Sequence, residues 1–300
     1  MKIFVVDAFT SEPFRGNPAA VLLPGEKEFG NDAFCQRVAA EMNLPDFTSN
    51  FSLRWFTPTV EVPLCGHATL ATAHVLFSEI GNPNDALTFE TKSGTVTCRR
   101  GENGKVKMDF PQFEVQSFNN LGSWQDDFDA ALFEEFQGVP DFVADIVRVV
   151  SCGRSVAAVA HAVKAKKLVV VLDTMPEKEF TALRPNVEEL VKLHPEGNFL
   201  RGVILSMKAE NGAYDFKSRA FAPWIGIKED PASASAHCGV GLFWGKILRK
   251  TELNVKQCFP GRGAEFKLQL HNDTGRVGLL GGAATVLSGT MSDKVGNAEI

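Results

Sequence analysis

Arg54-Trp55-Phe56-Thr57-Pro58 recurs 165 positions later as Arg219-Ala220-Phe221-Ala222-Pro223. Both copies are followed by a glutamate, by a proline and then by a cluster of small residues that opens a long apolar run. These clusters are Cys65-Gly66-His67-Ala68 and Ser233-Ala234-Ser235-Ala236. A repeat distance of half the chain exceeds the roughly 20–50 residues of solenoid repeats, so the pattern predicts two homologous halves.

Chain length and hydrophobic patterning favour the same organisation. A chain of 300 residues suffices for about two domains, which we place at residues 1–120 and 121–300, with the last strand free to return to the first domain. Each half contains one run that is apolar or small on nearly every face, at 68–77 and 236–248, and such a run predicts a buried helix. A strand hairpin follows each run, with turns at 102–104 and 272–275. The predicted fold class is α/β (α+β): two pseudo-symmetric domains, each a mixed sheet curled around a central buried helix.

Composition and charge exclude several classes of protein. The net charge of −5 supplies no basic surface for nucleic acid, and no apolar run reaches the roughly 18–20 residues of a membrane span. The six cysteines form no C-x-x-C pair, so we expect neither a disulfide framework nor a metal site. Residues 1–7 are typical of a first strand rather than a secretory signal, and we expect a cytoplasmic protein.

The small-residue clusters are the predicted starts of the two buried helices. A helix N-terminus presents unpaired N–H groups and the positive end of its dipole, which suits a carboxylate. The sequence therefore predicts a cradle for a small carboxylate where the two helix starts face one cleft. The alternative is that small residues only allow tight packing there. Within the second helix, the glycines at 239, 241 and 245 indicate close packing rather than a dinucleotide-binding loop.

The two clusters differ in a way that bears on chemistry. A racemase with two opposed thiols would need a cysteine in each, but Cys65 corresponds to Ser233, a poor acid or base near neutral pH. His67 and Asp230 are the titratable groups that remain for proton transfer. Asn17, in a Gly-Asn-Pro turn, is a candidate substrate contact, although a turn-forming asparagine explains it equally well.

Several stretches resemble the PhzF-type phenazine-biosynthesis isomerase family. They run in order along almost the whole chain, including Phe14–Val21, Glu41–Leu44, Leu53–Pro58, Glu61–Leu70 and Arg219–His237. The animal members, called phenazine-biosynthesis-like domain or MAWD-binding proteins, resemble the chain most. The resemblance implies the diaminopimelate-epimerase-like fold, a homodimer, no cofactor, and isomerisation by proton transfer on a small carboxylic acid. It also allows a protein partner.

The resemblance assigns roles to individual positions. The family histidine falls on His67, its aspartate on Asp230 and its serine on Ser235, while Ala234 replaces a family glycine. The resemblance also implies that the substrate carboxylate is bound by the backbone at Gly66 and around Ala234-Ser235. The family's proton-shuttling glutamate falls on Asp46 by ungapped alignment.

Two interpretations of Asp46 stay open, because the stretch from Pro45 to Leu53 is shorter than in the family. Either Asp46 is a shortened acid/base, or the strand that carries the glutamate is absent. A misplacement of about 1 Å can cost on the order of a hundredfold in rate, so even the first case predicts weakened catalysis. The alternative function is therefore an inactive family member that binds a small molecule or a protein.

Overall fold

The computed structural model describes residues 2–23, 50–56, 61–62, 64–92, 94–117, 140–210 and 212–290. Contacts divide the chain into a first unit, Met1–Phe110 with Leu279–Ile300, and a second unit, Pro111–Gly278. The predicted domain boundary between residues 120 and 121 lies outside the described residues. So does Asp46.

The first unit contains a three-stranded antiparallel sheet, in which the chain's first strand lies in the middle. The strand β1 pairs with β2 on one side and with the last strand of the chain, β18, on the other. Further pairs join β3 to β6 in parallel, and join β6 to β7, β7 to β8 and β4 to β5 antiparallel. The strands are β1 (Lys2–Ala8), β2 (Asn17–Leu23), β3 (Asn50–Ser52), β4 (Trp55–Phe56), β5 (Glu61–Val62), β6 (Ala86–Thr91), β7 (Gly94–Arg100), β8 (Val106–Pro111) and β18 (Ala283–Thr290).

The helix of the first unit, α1 (Gly66–His74), packs on β1, β2 and β18. Its two threonines are fully buried, which is possible because each hydroxyl donates to a carbonyl one turn earlier. The distances are 2.7 Å from Thr69 Oγ1 to the Cys65 oxygen and 2.6 Å from Thr72 Oγ1 to the Ala68 oxygen. A π-helical turn, Val75–Glu79, continues the helix. The sequence predicted a buried helix here but not the change of helix type.

The second unit is built on a mixed sheet. Neighbouring strands run in the order β9, β10, β11, β12, β13, β15, β16, with parallel pairs at β11–β12 and β13–β15, and β14 pairs with β13. These strands are β9 (Gln116–Ser117), β10 (Val156–Ala162), β11 (Lys167–Leu172), β12 (Gly202–Lys208), β13 (Phe216–Ala222), β14 (Ile227–Asp230), β15 (Glu252–Gln257) and β16 (Ala264–His271). Strand β17 (Arg276–Gly281) then passes from the second unit into the first.

Helices enclose this sheet. The helices α2 (Phe142–Ser151), α3 (Glu177–Ala182) and α4 (Val187–Leu193) contribute apolar side chains to one core with β10, β11 and β12. The long helix α5 (Ala234–Leu248) is buried on nearly every face and packs on β15 and β16. Its glycines allow this approach, since a Cβ at Gly241 would lie 2.5 Å from Leu268 Cδ1 and one at Gly245 would lie 2.3 Å from Leu270 Cδ1. The prediction that these glycines serve packing is confirmed.

Both predicted hairpins are present as adjacent strands. The first joins β7 to β8 through Glu102–Gly104, where Asn103 and Gly104 both have positive φ. The second joins β16 to β17. Each unit thus has a mixed sheet and a buried helix, as the predicted fold class requires. No helix in the described part of the chain is both long enough and apolar enough to cross a membrane.

Candidate functional site

An ion pair connects the arginine of the repeated segment in the first unit to the glutamate that follows it. Arg54 Nε and Nη2 donate to the two carboxylate oxygens of Glu61 at 2.9 and 3.0 Å, and the guanidinium lies 5.0 Å from the Phe56 ring centroid. Lys92 adds a further contact to Glu61. Hydrogen bonding from Arg54 lowers the pKa of Glu61 to about 2. The carboxylate therefore stays ionised and holds β4 beside β5, directly before α1.

The second unit repeats this arrangement in a more buried form. Arg219 Nε and Nη2 donate to Glu229 at 2.7 and 2.9 Å, and its guanidinium lies 5.2 Å from the Phe221 ring centroid. Its Nη1 also donates to two carbonyls at the end of α3, those of Phe180 and Leu183, at 2.9 Å each. The arginine of each copy thus fixes the strand that leads to a buried helix.

Both helices begin at the predicted small-residue clusters. Cys65 and Ser233 are the N-cap residues, each in extended conformation and neither providing a side-chain cap. In the second unit, the N–H groups of Ala234 and Ser235 have no hydrogen-bond partner among the described residues. We call Cys65–Ala68 and Ser233–Ala236 the first and second helix starts.

The first helix start carries a thiol and an imidazole in contact. Cys65 Sγ lies 3.4 Å from His67 Nδ1, and both residues are partly exposed. Gly66 lies between them and is also partly exposed. The thiol and the imidazole are therefore both accessible to solvent at the positive end of α1.

Asn17 begins β2, the strand against which α1 packs, and its side chain is buried. The preceding Gly16 has φ 59°, and a Cβ there would lie 2.1 Å from the Ala8 carbonyl oxygen. Nearby, Phe14 donates its N–H to the buried carboxylate of Asp7 at 2.6 Å. These contacts fix the turn that precedes Asn17, and the role of Asn17 as a substrate contact stays a prediction.

Two buried side chains fix the second helix start. Gln257 Oε1 accepts the N–H of Ser233 at 2.8 Å, and Gln257 Nε2 donates to the carbonyl of Asp230. His237 Nδ1 lies 2.8 Å from the Ser233 carbonyl oxygen, and its Nε2 lies 3.1 Å from Ser218 Oγ. A carbonyl only accepts, so Nδ1 carries the proton and Nε2 accepts from Ser218. These contacts hold both the N–H and the carbonyl group of Ser233.

Asp230 lies at the end of β14, three residues before Ser233, and is partly exposed. Its Oδ1 accepts the N–H of Ala232 at 3.3 Å. Sequence reasoning missed Lys167, which interacts electrostatically with Asp230. The Lys167 Nζ donates a hydrogen bond to Ser235 Oγ at 2.8 Å. Burial lowers the pKa of Lys167, and the charge of Asp230 acts in the opposite direction. The second helix start thus combines a carboxylate, an ammonium and a hydroxyl.

His237 gives a testable pH dependence. Burial lowers its pKa from 6.5 to about 4, so the unfolded chain takes up this proton at a higher pH than the folded protein does. Stability is therefore lost as the pH falls from about 6.5 towards about 4, by about 2–3 kcal/mol between pH 7 and pH 4.5.

Replacing His237 by asparagine keeps a donor for the Ser233 carbonyl and removes this titration. When the pH falls from 7 to 4.5, we expect the free energy of unfolding to drop by about 2–3 kcal/mol less in His237→Asn than in the wild type. Urea unfolding at both pH values measures this difference. His271 is exposed, so His271→Asn serves as the control. This variant is expected to show the same change of stability with pH as the wild type. Equal slopes for wild type and His237→Asn would contradict the assignment, since His74 and His161, whose pKa values burial also lowers, are intact in both proteins.

The predicted site residues thus fall into two groups. Gly66 and His67 form the first helix start with Asn17 in a strand packed on the same helix, whereas Asp230, Ala234 and Ser235 meet at the second. Asp46 lies outside the described residues, so its role stays a prediction. Within the described part of the chain, no three His, Cys, Asp or Glu side chains lie together in a way that could hold a metal ion.

The architecture is a two-unit α+β fold of the diaminopimelate-epimerase-like type. The chain belongs to the family described as phenazine biosynthesis-like protein, whose model matches residues 6–289.

The similarity to known proteins extends over nearly the whole chain. Phenazine biosynthesis-like domain-containing protein 1 of Mus musculus is 41% identical, covering 97% of this chain and 99% of that protein. A protein of Halalkalibacterium halodurans named an uncharacterized isomerase is 36% identical, covering 95% of this chain and 96% of its own. The crystal structure of a PhzF-family phenazine biosynthesis protein from Enterococcus faecalis is 27% identical, with a TM-score of 0.74 over 96% of this chain and 97% of that chain.

Proposed function

We propose that the protein is a cofactor-independent isomerase that moves a proton on a small carboxylic acid. Membership of the family and the isomerase name of a bacterial relative support an isomerase- or epimerase-type function. The observation that carries the finer proposal is the second helix start, where two N–H groups find no partner in the described part of the chain. Lys167 binds Ser235 there and interacts electrostatically with Asp230. Hydrogen-bond donors there suit a carboxylate, and the neighbouring Asp230 suits proton transfer.

The division of roles follows from the chemistry of the side chains. Asp230, together with Asp46 or a surrogate for it, handles protons, because a carboxylate near neutral pH accepts a proton from carbon and returns it. His67 orients the substrate from the first helix start. We also propose a homodimer, on the family resemblance alone.

Deuterium exchange tests this function directly. The protein is incubated in D₂O with a panel of small carboxylic acids that carry an acidic α- or γ-C–H, and proton NMR follows the loss of that signal. We expect at least one acid to exchange faster than it does without protein, and Asp46→Asn to slow that exchange. No exchange above the uncatalysed rate for any acid in the panel overturns the proposal for those acids. Exchange that is unchanged in Asp46→Asn removes Asp46 from the mechanism.

The short segment before the first copy favours a second candidate function. If the strand that carries the family glutamate is absent, the protein binds a small acid or a protein without turning it over. The same panel separates the two functions when each acid is also tested for binding by thermal denaturation. Stabilisation by an acid that does not exchange supports a binding protein, whereas exchange of any acid excludes it.

A further inference from the structure

We propose that Lys167 binds the substrate carboxylate directly and makes the second unit selective for anionic over neutral ligands. The nature of the substrate rests on the proposed function, but the charge selectivity does not. Three features of the second unit support this role: the path of the lysine side chain, the unused hydrogen-bond donors of its ammonium, and the balance of donors and acceptors around it.

The path of the side chain depends on a glycine. Lys167 begins β11 and lies opposite Gly202 in the parallel pair with β12. A Cβ at Gly202 would lie 3.5 Å from Lys167 Cγ and 3.8 Å from its Cε, so the lysine side chain extends across the glycine. It thereby reaches Ser235 in the first turn of α5, 68 positions away in the sequence. The aliphatic part of the side chain is thus held in contact with the backbone, and the ammonium is placed at the second helix start.

The ammonium has more donors than the residues described in the structure satisfy. A lysine Nζ carries three N–H groups, and Ser235 Oγ is the acceptor for one of them, at 2.8 Å. Among the described residues, Lys167 has no second hydrogen-bond acceptor. Lys167 is only partly exposed, and a charged group with limited access to water is costly unless its hydrogen bonds are made, so the remaining donors favour a bound acceptor.

The neighbouring groups select an anion rather than a neutral or cationic ligand. Because Ser235 Oγ accepts from Lys167, its own hydroxyl hydrogen is left to donate. The N–H groups of Ala234 and Ser235 add two further donors without a partner in the described chain. Asp230 is the negative charge nearby, and it partly offsets the ammonium. A ligand carboxylate, with two oxygens and about four lone pairs, matches these donors.

Charge selectivity distinguishes this role from a structural one. If Lys167 only positioned Ser235, its removal would weaken anionic and neutral ligands alike. If it binds the carboxylate, its removal weakens the anion alone. Benzoate and benzamide are suitable probes, because they share one ring and differ in the charge of the group that meets the helix start.

The experiment is an NMR titration of wild type, Lys167→Met and the control Lys164→Met with each probe. Lys164 is exposed in the turn before β11, so its removal changes the net charge equally without touching the second helix start. Hydrogen bonds to charged groups contribute about 1.5–3 kcal/mol, so we expect benzoate affinity to fall about 10–100-fold in Lys167→Met and not in Lys164→Met. Benzamide affinity is expected to change less than about threefold in both, because its neutral carbonyl can accept a hydrogen bond from the ammonium but lacks the opposite charge that strengthens the bond to benzoate.

Wild-type protein that binds benzoate no more tightly than benzamide overturns the proposal, as does equal weakening of both probes in Lys167→Met. A second measurement covers a variant that fails to fold. Acetylation of the wild-type protein is followed by mass spectrometry, and benzoate, but not benzamide, is expected to protect Lys167. Absence of that protection also overturns the proposal. Charge-selective binding without deuterium exchange would support the role of Lys167 and reject the isomerase function. Deuterium exchange without charge selectivity would support the isomerase function and reject the role of Lys167.

Discussion

Replacing Arg219 by methionine is expected to lower the free energy of unfolding by about 3–5 kcal/mol, because it leaves a partly buried carboxylate without its partner. Arg219 is almost fully buried and makes four hydrogen bonds, two to Glu229 and two to carbonyls at the end of α3. Methionine fills a similar volume but replaces none of them. Urea unfolding, followed by circular dichroism, measures the loss as a shift of the midpoint.

The first unit supplies the matched control. Arg54→Met removes the same pair with Glu61, but Arg54 is more exposed than Arg219, at 17% against 1%, so water partly replaces its contacts. Lys92 also still contacts the Glu61 carboxylate in this variant. We expect a smaller loss in Arg54→Met than in Arg219→Met. The double variant Arg219→Met with Glu229→Gln is expected to recover part of the loss, since it removes the unpaired charge. A loss below about 1 kcal/mol in Arg219→Met, or a larger one in Arg54→Met, contradicts the structural role of the buried pair.

Asp230→Asn is expected to reduce the rate of deuterium exchange by about 10²–10⁴-fold, because general acid–base catalysis typically contributes a factor of that size. The asparagine oxygen can still accept the Ala232 N–H that Asp230 Oδ1 accepts at 3.3 Å, so the turn before α5 persists. The rate measured is that of whichever acid the wild-type protein exchanges. The KM of the variant for that acid is expected to change little, because Lys167 and the second helix start remain.

The control for this prediction is Asp173→Asn, which removes an equal charge from an exposed position after β11. It is expected to keep the wild-type exchange rate. Urea midpoints of both variants confirm that the fold is intact. An Asp230→Asn protein that exchanges at more than about a tenth of the wild-type rate shows that Asp230 is not the acid/base, because such a group contributes at least about a hundredfold.

The duplicated pattern was sufficient to predict the buried helices and their first residues. Small residues at 65–68 and 233–236 precede apolar runs, and both helices begin at these clusters. The hairpin turn at Asn103-Gly104 was predictable for a local reason, since both residues tolerate the positive φ that the turn requires. These features depend on neighbours in sequence, and the chain displays them directly.

The partners of the site could not be predicted in the same way. Lys167 meets Ser235 across 68 positions, and Gln257 reaches the Ser233 N–H across 24, so no local pattern connects them. The glutamates after each copy were visible in the sequence, but their pairing with Arg54 and Arg219 depends on how the strands fold back. The π-helical turn after His74 likewise lies in an apolar run that fits an α-helix equally well.

The pairing of the first strand with the last also has a consequence for how the protein folds during synthesis. The second unit is one continuous stretch, Pro111–Gly278, whereas the first unit needs residues from both sides of it. Strand β1 gains its partner β18 only when residues 283–290 have left the ribosome. The usual order, in which the N-terminal domain folds first, is therefore reversed: the inserted unit can fold while the first unit still waits for its final strand.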